Sequence, residues 1–147
     1  MATDDTDTSP ASSSGALKPG TSLSDTYEIV RHLATGGMAE VYRARNIHTD
    51  EPVAIKVVLP AFAKDETITA LFKKEATVLS RLHHDAIVHY HLFTIEKDMK
   101  RPYLVMEWCD GGSLKALLSA RGRLEKDLAY VVIDGIADAI AHAHAMG

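Results

Sequence analysis

The sequence predicts an α+β domain, in which an antiparallel sheet of five strands carries one helix and is followed by further helices. Two observations indicate this class. Five short runs are rich in β-branched and aromatic residues, and a helical period interrupts them after the third run and returns at the end of the chain. Short turns separate the first three runs, so antiparallel pairing is the economical arrangement.

The amino-acid composition changes along the chain. Its 147 residues suffice for one domain with a core, and 46% of them are apolar. Residues 1–26, however, are acidic and rich in Ser, Thr, Gly and Pro, a composition that cannot bury enough apolar surface to fold. We therefore expect a disordered leader over residues 1–26 and one folded domain over residues 27–147.

Charge and cysteine usage narrow the class of partner and the compartment. A formal net charge of −4 and a pI near 6.0 give no support to a nucleic-acid partner or an anionic membrane. The single cysteine, Cys109, excludes an internal disulfide and fits a reducing compartment. No stretch approaches 18 uninterrupted apolar residues. We expect a cytoplasmic protein without a membrane segment in this chain, and a span further along the full-length protein stays open.

The first three strands are predicted in the runs YEIVRHLA, EVYRARN and PVAIKVVL. Gly36 and Gly37 join the first two and allow two interpretations. Glycine supplies the positive φ that a tight hairpin turn requires. Alternatively, a glycine loop can lie with bare backbone against a phosphate group. The loop alone does not decide between them.

A helix is predicted in the run KDETITALFKKEATVLSRLHH, with Asp65 as its N-cap. Leu71, Val78 and Leu82 fall on one helical stripe, which we expect to face the core. Glu75 lies on the same stripe and needs a partner, because burying a lone carboxylate costs several kcal/mol.

The remaining elements are two strands and two helices. AIVHYHLFTI and RPYLVMEW are strand-like, and the charged turn EKDMK separates them. DGGSLKALLSARG predicts a loop and a short helix capped by Ser113. The final run predicts a long helix whose apolar face is expected to drive self-association, with these residues near one side: Leu128, Val132, Ala139, Ile140 and Ala143.

The third strand contains Lys56 in an apolar setting, which is expensive unless an anion meets the ammonium group. Glu75 follows 19 residues later on the next helix, so the two side chains could pair across the strand–helix interface. The ammonium group could also bind the phosphates of a ligand, and the glycine pair would then cover those phosphates.

These motifs, in this order, resemble the small lobe of a protein kinase: LATGGMAEVYRAR, VAIK, Glu75 in the following helix, and YLVMEWCDGGSL. The segment GGMAEV is most similar to the corresponding loop of the eukaryotic-type serine/threonine kinases of bacteria. The resemblance implies a small lobe over about residues 27–109 and the start of a large lobe over residues 110–147. It also implies transfer of the γ-phosphate of ATP to protein hydroxyl groups.

The resemblance assigns roles to individual residues. Lys56 would hold the α- and β-phosphates and Glu75 would orient it, which makes these two the catalytic residues present. Met106 would occupy the gatekeeper position. The backbone of Glu107 and Cys109, which follow it, would bind the adenine edge. The implied nucleotide-binding set is Leu33, Ala34, Thr35, Gly36, Gly37, Met38, Val41, Ala54, Lys56, Met106, Glu107 and Cys109.

The chain departs from the family pattern in two ways. Ala34 and Ala39 stand where the loop of the family usually has glycines. The catalytic-loop Asp and Asn and the Asp of Asp-Phe-Gly do not occur, so no metal site is expected and the Mg²⁺ ligands would lie beyond the C-terminus.

We therefore expect a truncated, ATP-binding part of a serine/threonine kinase, inactive alone. It would act on protein substrates and leave room for self-association through the small lobe or the final helix. A truncated pseudokinase or ATP-binding regulatory module is the alternative.

Overall fold

The structure is a computed structural model that describes residues 15–146. One antiparallel sheet holds all six strands, in the spatial order β1-β2-β3-β4-β6-β5. The strands are β1 Ser22–Leu23, β2 Tyr27–Thr35, β3 Ala39–Asn46, β4 Pro52–Val58, β5 Tyr90–Ile95 and β6 Pro102–Glu107. The helices are α1 Glu66–Leu79, α2 Leu114–Arg121 and α3 Lys126–Ala145, and a single 3-10 turn lies at Pro60–Phe62.

The five predicted strands and the three helices are present, and β1 is a sixth strand that the sequence pattern did not predict. Side chains alternate between the two faces of a strand, and the burial of β4 follows that alternation. Residues that pair across β3 and β4, such as Tyr42 with Ile55 and Val41 with Lys56, share a face. One face of the sheet therefore carries Tyr42 and Ile55, and the opposite face carries Val41 and Lys56.

The main core covers the face of Tyr42 and Ile55. Both side chains are fully buried, as are those of Ile29, Val57 and Val105. Leu17 and Leu23, which precede β2, belong to the same buried cluster, Leu23 with no exposed surface at all. Residues 15–26 thus form a strap across this face of the sheet.

The strap corrects the prediction of a disordered leader over residues 1–26. Residues 15–26 are packed and contribute β1, which pairs with the start of β2. Only residues 1–14 of the predicted leader lie outside the described residues. Burial of two leucines supplies the apolar surface that the polar composition of this segment concealed.

Helix α1 begins at the predicted N-cap. The Asp65 carboxylate accepts hydrogen bonds from the backbone N–H groups of Thr67 and Ile68, at 2.8 and 3.1 Å. The predicted core-facing stripe was wrong, however. Leu71 and Val78 are about half exposed, and the helix ends before Leu82.

The side of α1 that packs on the sheet carries Phe72 and Ala76 instead. Phe72 forms a second buried cluster with Ala39 and Val58, on the sheet face that also holds Lys56. The two candidate stripes of this helix lie one residue apart in sequence, and the sheet contacts the one that contains the aromatic ring.

Helices α2 and α3 follow β6. The Ser113 hydroxyl caps α2 as predicted, accepting from the backbone N–H of Ala116 at 3.1 Å. On α3 only Ala139 is buried, whereas Leu128 and Ile140 of the predicted face are exposed. No helix within residues 15–146 combines the length and apolar character that crossing a membrane requires.

Candidate functional site

A cavity of about 360 Å³ lies between the β2–β3 loop, β4 and α1. Eight of the predicted site residues line it: Ala34, Thr35, Gly36, Gly37, Met38, Val41, Lys56 and Glu75. Three further residues complete the lining: Ala39, Leu71 and Phe72. The loop forms one wall and the middle of α1 forms the facing wall.

Lys56 and Glu75 meet at the wall of this cavity. Both carboxylate oxygens of Glu75 lie 2.9 Å from the Lys56 Nζ. The Lys56 side chain is 29% exposed and that of Glu75 is 38% exposed, so the pair is accessible to a ligand. The pairing that the sequence suggested is therefore formed, and it meets the requirement that a half-buried charge have a partner.

Phe72 holds the same ammonium group from a second direction. The Lys56 Nζ lies 5.1 Å from the centroid of the Phe72 ring, within the range of a cation–π interaction. Phe72 precedes Glu75 by three residues on α1, and residues at this spacing lie on neighbouring parts of a helix surface. Sequence reasoning missed Phe72, although its spacing from Glu75 was visible in the sequence.

The β2–β3 loop is closed by a hydrogen bond from the Gly36 N–H to the Ala39 carbonyl, at 2.8 Å. Neither Gly36 nor Gly37 has a positive φ. Of the two interpretations that the sequence left open, a turn that needs positive φ at these glycines therefore does not apply. A Cβ atom on Gly37 would meet nothing within 4 Å, and one on Gly36 would make an ordinary contact with the Ala39 carbonyl. Neither backbone conformation nor the space within the folded chain requires glycine at these two positions.

The remaining predicted residues lie outside the lining of the cavity. Ala54 pairs with Met106 across β4 and β6, and both are half-buried. Glu107 ends β6, and Cys109 follows as an exposed free thiol. Leu33 is half-buried at an irregularity in the β2–β3 pairing.

A buried polar network lies behind the loop, on the other face of the sheet. The Arg101 guanidinium donates to the Glu40 carboxylate at 3.1 Å and to the Val58 carbonyl at 2.7 Å, and both charged side chains are at most 4% exposed. The Tyr42 hydroxyl donates to the same carboxylate at 2.7 Å. Arg101 also donates to the Gly15 carbonyl.

The strap is thereby bonded to the base of the loop. The Leu17 N–H donates to the Tyr42 hydroxyl at 2.9 Å, and Glu40 directly follows Ala39, where β3 leaves the loop. Burial, together with the hydrogen bond to Glu40, raises the pKa of Tyr42 to about 12. No local sequence pattern indicated this network, because its members are spread from Gly15 to Arg101.

The described residues contain no group of three or more His, Cys, Asp or Glu side chains that could hold a metal ion. No chemical step is assigned to Mg²⁺ at the side chains of residues 15–146. His89, which shares a predicted strand with His91, lies just before β5 in the structure.

Comparisons with known proteins agree on one family. A family model described as "Protein kinase domain" matches residues 27–147. The chain is 38% identical over 125 residues to the serine/threonine-protein kinase PrkC of Bacillus subtilis. The aligned residues cover 85% of this chain and 19% of that protein. It is 34% identical over 125 residues to the serine/threonine-protein kinase PknL of Mycobacterium tuberculosis, covering 85% of this chain and 31% of that protein.

Among solved structures, the PknI kinase domain of Mycobacterium tuberculosis superposes with a TM-score of 0.71 at 27% sequence identity. The match covers 90% of this chain and 54% of that one. The chain thus spans about half of a solved kinase domain, and less than a third of the two curated relatives.

Proposed function

The chain belongs to the protein kinase family, and we propose that it supplies the ATP-binding part of a serine/threonine protein kinase. Kinases of this family pass the γ-phosphate of ATP to a protein hydroxyl group, with divalent metal ions as partners of the nucleotide. One observation carries the proposal, namely the bidentate Lys56–Glu75 pair in the wall of the cavity beneath the glycine loop.

Lys56 is the group that we assign to the α- and β-phosphates. Its ammonium group has three donors, and Glu75 and Phe72 fix its position from the side of α1. Positioning and electrostatics supply nearly all the catalysis in phosphoryl transfer, so a held ammonium group is worth more than a mobile one.

The glycine loop is assigned to the phosphates from the opposite wall. Since the fold requires glycine at neither Gly36 nor Gly37, the absence of side chains there is better explained by a ligand that approaches the backbone. Ala34, Thr35 and Met38 form the rest of this wall.

The purine is assigned to the face of the sheet beyond the cavity. Leu33 and Val41 would lie against one side of the ring, and Ala54 leaves room for it between β3 and β6. The backbone groups of Glu107 and Cys109 would bind the adenine edge, with Met106 behind them. The register of β4 with β6 supports this arrangement, because it sets Ala54 opposite Met106.

The proposed phosphoryl transfer from ATP also suggests a class of protein substrate and a cellular compartment. We propose protein serine or threonine hydroxyls as acceptors and the ATP-rich cytoplasm as the place of action. The base and the metal ligands of phosphoryl transfer do not occur among the 147 residues. The role assigned to this chain is therefore to bind and orient the nucleotide.

The test is a comparison of ATP with adenosine, which lacks the phosphates. In the 147-residue chain, Lys56→Met should weaken ATP binding by about tenfold or more and leave adenosine binding unchanged, because a charge-assisted hydrogen bond contributes roughly 1.5–3 kcal/mol. Lys74→Met is the matched control, since Lys74 is an exposed lysine on α1, next to Glu75. Calorimetric titration measures all the affinities.

Glu75→Gln should weaken ATP binding less, because Lys56 keeps its charge and loses only its orienting partner. Equal ATP affinity in wild type and Lys56→Met would overturn the assignment of Lys56, and a wild-type chain that binds neither ligand would overturn the proposed function.

A further inference from the structure

The segment after β6 is held from outside by an arginine of β3. The guanidinium carbon of Arg43 lies 5.0 Å from the centroid of the Trp108 ring, a cation–π contact between two half-buried residues. Trp108 directly follows β6, between Glu107 and Cys109. No motif in the sequence pointed to this contact.

The sheet register brings the two side chains to one face. Arg43 pairs with Ala54, and Ala54 pairs with Met106, so these three residues share a face with Val41 and Lys56. Trp108 comes directly after the end of β6, and its contact with Arg43 places the indole ring on that same side.

The indole is fixed on its other edge as well. The Trp108 Nε1–H donates to the Asp110 carboxylate at 2.7 Å. The two contacts hold the indole from β3 and from the residues that follow. Because Trp108 and Asp110 flank Cys109, their hydrogen bond closes a short loop around the Cys109 backbone.

We propose that Arg43 is a positioning residue for nucleotide binding: by stacking on Trp108, it holds the backbone of Glu107 and Cys109 in the conformation that meets the adenine edge. The inference rests on the proposed function. A segment held before the ligand arrives has less freedom to lose on binding, so the stack acts on affinity without touching the phosphates.

This role predicts an effect different from that of Lys56. A lost Arg43 stack should weaken adenosine and ATP by the same factor, because both ligands share the purine. A cation–π contact between half-buried residues that solvent still reaches corresponds to about a two- to fivefold change in affinity.

The experiment uses the 147-residue chain, in which Trp108 is the single tryptophan and therefore reports on this segment alone. The variants are Arg43→Ala, Arg43→Gln and Arg43→Lys, since lysine retains a cation over the ring. Arg45→Ala is the matched control, because Arg45 follows on the same strand face and pairs with Glu28 and Asp50 instead. Calorimetry gives the adenosine and ATP affinities, and acrylamide quenching of tryptophan emission gives the accessibility of Trp108.

We expect Arg43→Ala and Arg43→Gln to bind both ligands about two- to fivefold more weakly, with greater quenching of Trp108. Arg43→Lys should recover most of the affinity, and Arg45→Ala should match wild type. Wild-type adenosine affinity in both Arg43→Ala and Arg43→Gln would overturn this inference while leaving the proposed function intact. A wild-type chain that binds neither adenosine nor ATP would overturn the proposed function and this inference with it.

Discussion

The sheet and helix α3 treat their apolar residues in opposite ways. On the face of the sheet that the strap covers, Leu23, Ile29 and Ile55 have no exposed surface. On α3, the side chains of Tyr130, Val131 and Ile133 are each more than 60% exposed, and Ala139 is its one buried residue. Both regions are similarly apolar in sequence, so composition alone did not distinguish them.

This difference in burial indicates which region contributes most to the stability of the chain. The sheet is covered by α1 on one face and by the strap on the other, so its apolar side chains find partners within residues 15–146. The apolar surface of α3 finds few partners there, and exposed apolar patches of this kind favour association. Mutations in the two regions should therefore affect different properties.

The largest expected effect is on the state of association. The chain at micromolar concentration should form oligomers or aggregates through the exposed side of α3. A triple variant with Val131→Lys, Ile133→Glu and Ile136→Lys should shift it toward monomer. Sedimentation velocity measures the distribution of species, and a wild-type chain that sediments as one monomeric species would contradict the expectation.

The next effect concerns the ion pairs of Arg101 and Arg45. Arg101→Ala removes the guanidinium that pairs with the buried Glu40 carboxylate, which should lower the free energy of unfolding by about 3–5 kcal/mol. Arg45→Ala removes two solvent-accessible ion pairs, to Glu28 and Asp50, and should leave stability nearly unchanged. Urea unfolding followed by circular dichroism measures both. Equal stability of the two variants would mean that the buried network contributes nothing.

A smaller effect is expected from single apolar truncations. Leu23→Ala opens a cavity under the strap and should lower the free energy of unfolding by about 2–5 kcal/mol. Val131→Ala on α3 should change it by no more than about 0.5 kcal/mol, because the side chain is already in solvent. Equal losses in the free energy of unfolding for Leu23→Ala and Val131→Ala would contradict the view that the strap is packed and the exposed side of α3 is not.

The sequence predicted the sheet well because strands leave a strong pattern. Period-two alternation and short turns placed β2, β3, β4 and β6 within a few residues, and β5 began four residues later than its predicted run. The Lys56–Glu75 pair was predictable because each charge alone would have been costly in its position.

The strap and the core-facing side of α1 escaped prediction for separate physical reasons. Leu17 and Leu23 are isolated apolar residues without a period, so only the folded sheet reveals what they cover. In α1, Leu71 and Phe72 begin two stripes with helical spacing, and nothing local decides which stripe meets the sheet. Arg43 and Trp108 meet only through the register of three strands.

The smallest effect is a pH dependence at Tyr42. Its folded-state pKa of about 12 exceeds the ordinary value of 10, so its contribution to stability is complete below pH 10 and is lost as the pH rises through about 12. The stability advantage of wild type over Tyr42→Phe should therefore shrink between pH 10 and 12, by at most about 1.4 kcal/mol per pH unit. Tyr130→Phe, on the exposed side of α3, is the control for the substitution itself. Urea midpoints across this pH range give the comparison, and a constant difference between wild type and Tyr42→Phe would argue against it.

The hydrogen bond from the Leu17 N–H to the Tyr42 hydroxyl makes the Leu17 amide a hydrogen-exchange probe for opening of the strap. Leu17 lies outside any helix or strand, yet its amide is buried against a side chain 25 residues away. Such an amide exchanges its proton for deuterium only when the segment that carries it opens. Its exchange rate therefore reports the free energy of opening of the strap at Leu17 without denaturant, and Leu17 should exchange far more slowly than an exposed amide that makes no hydrogen bond.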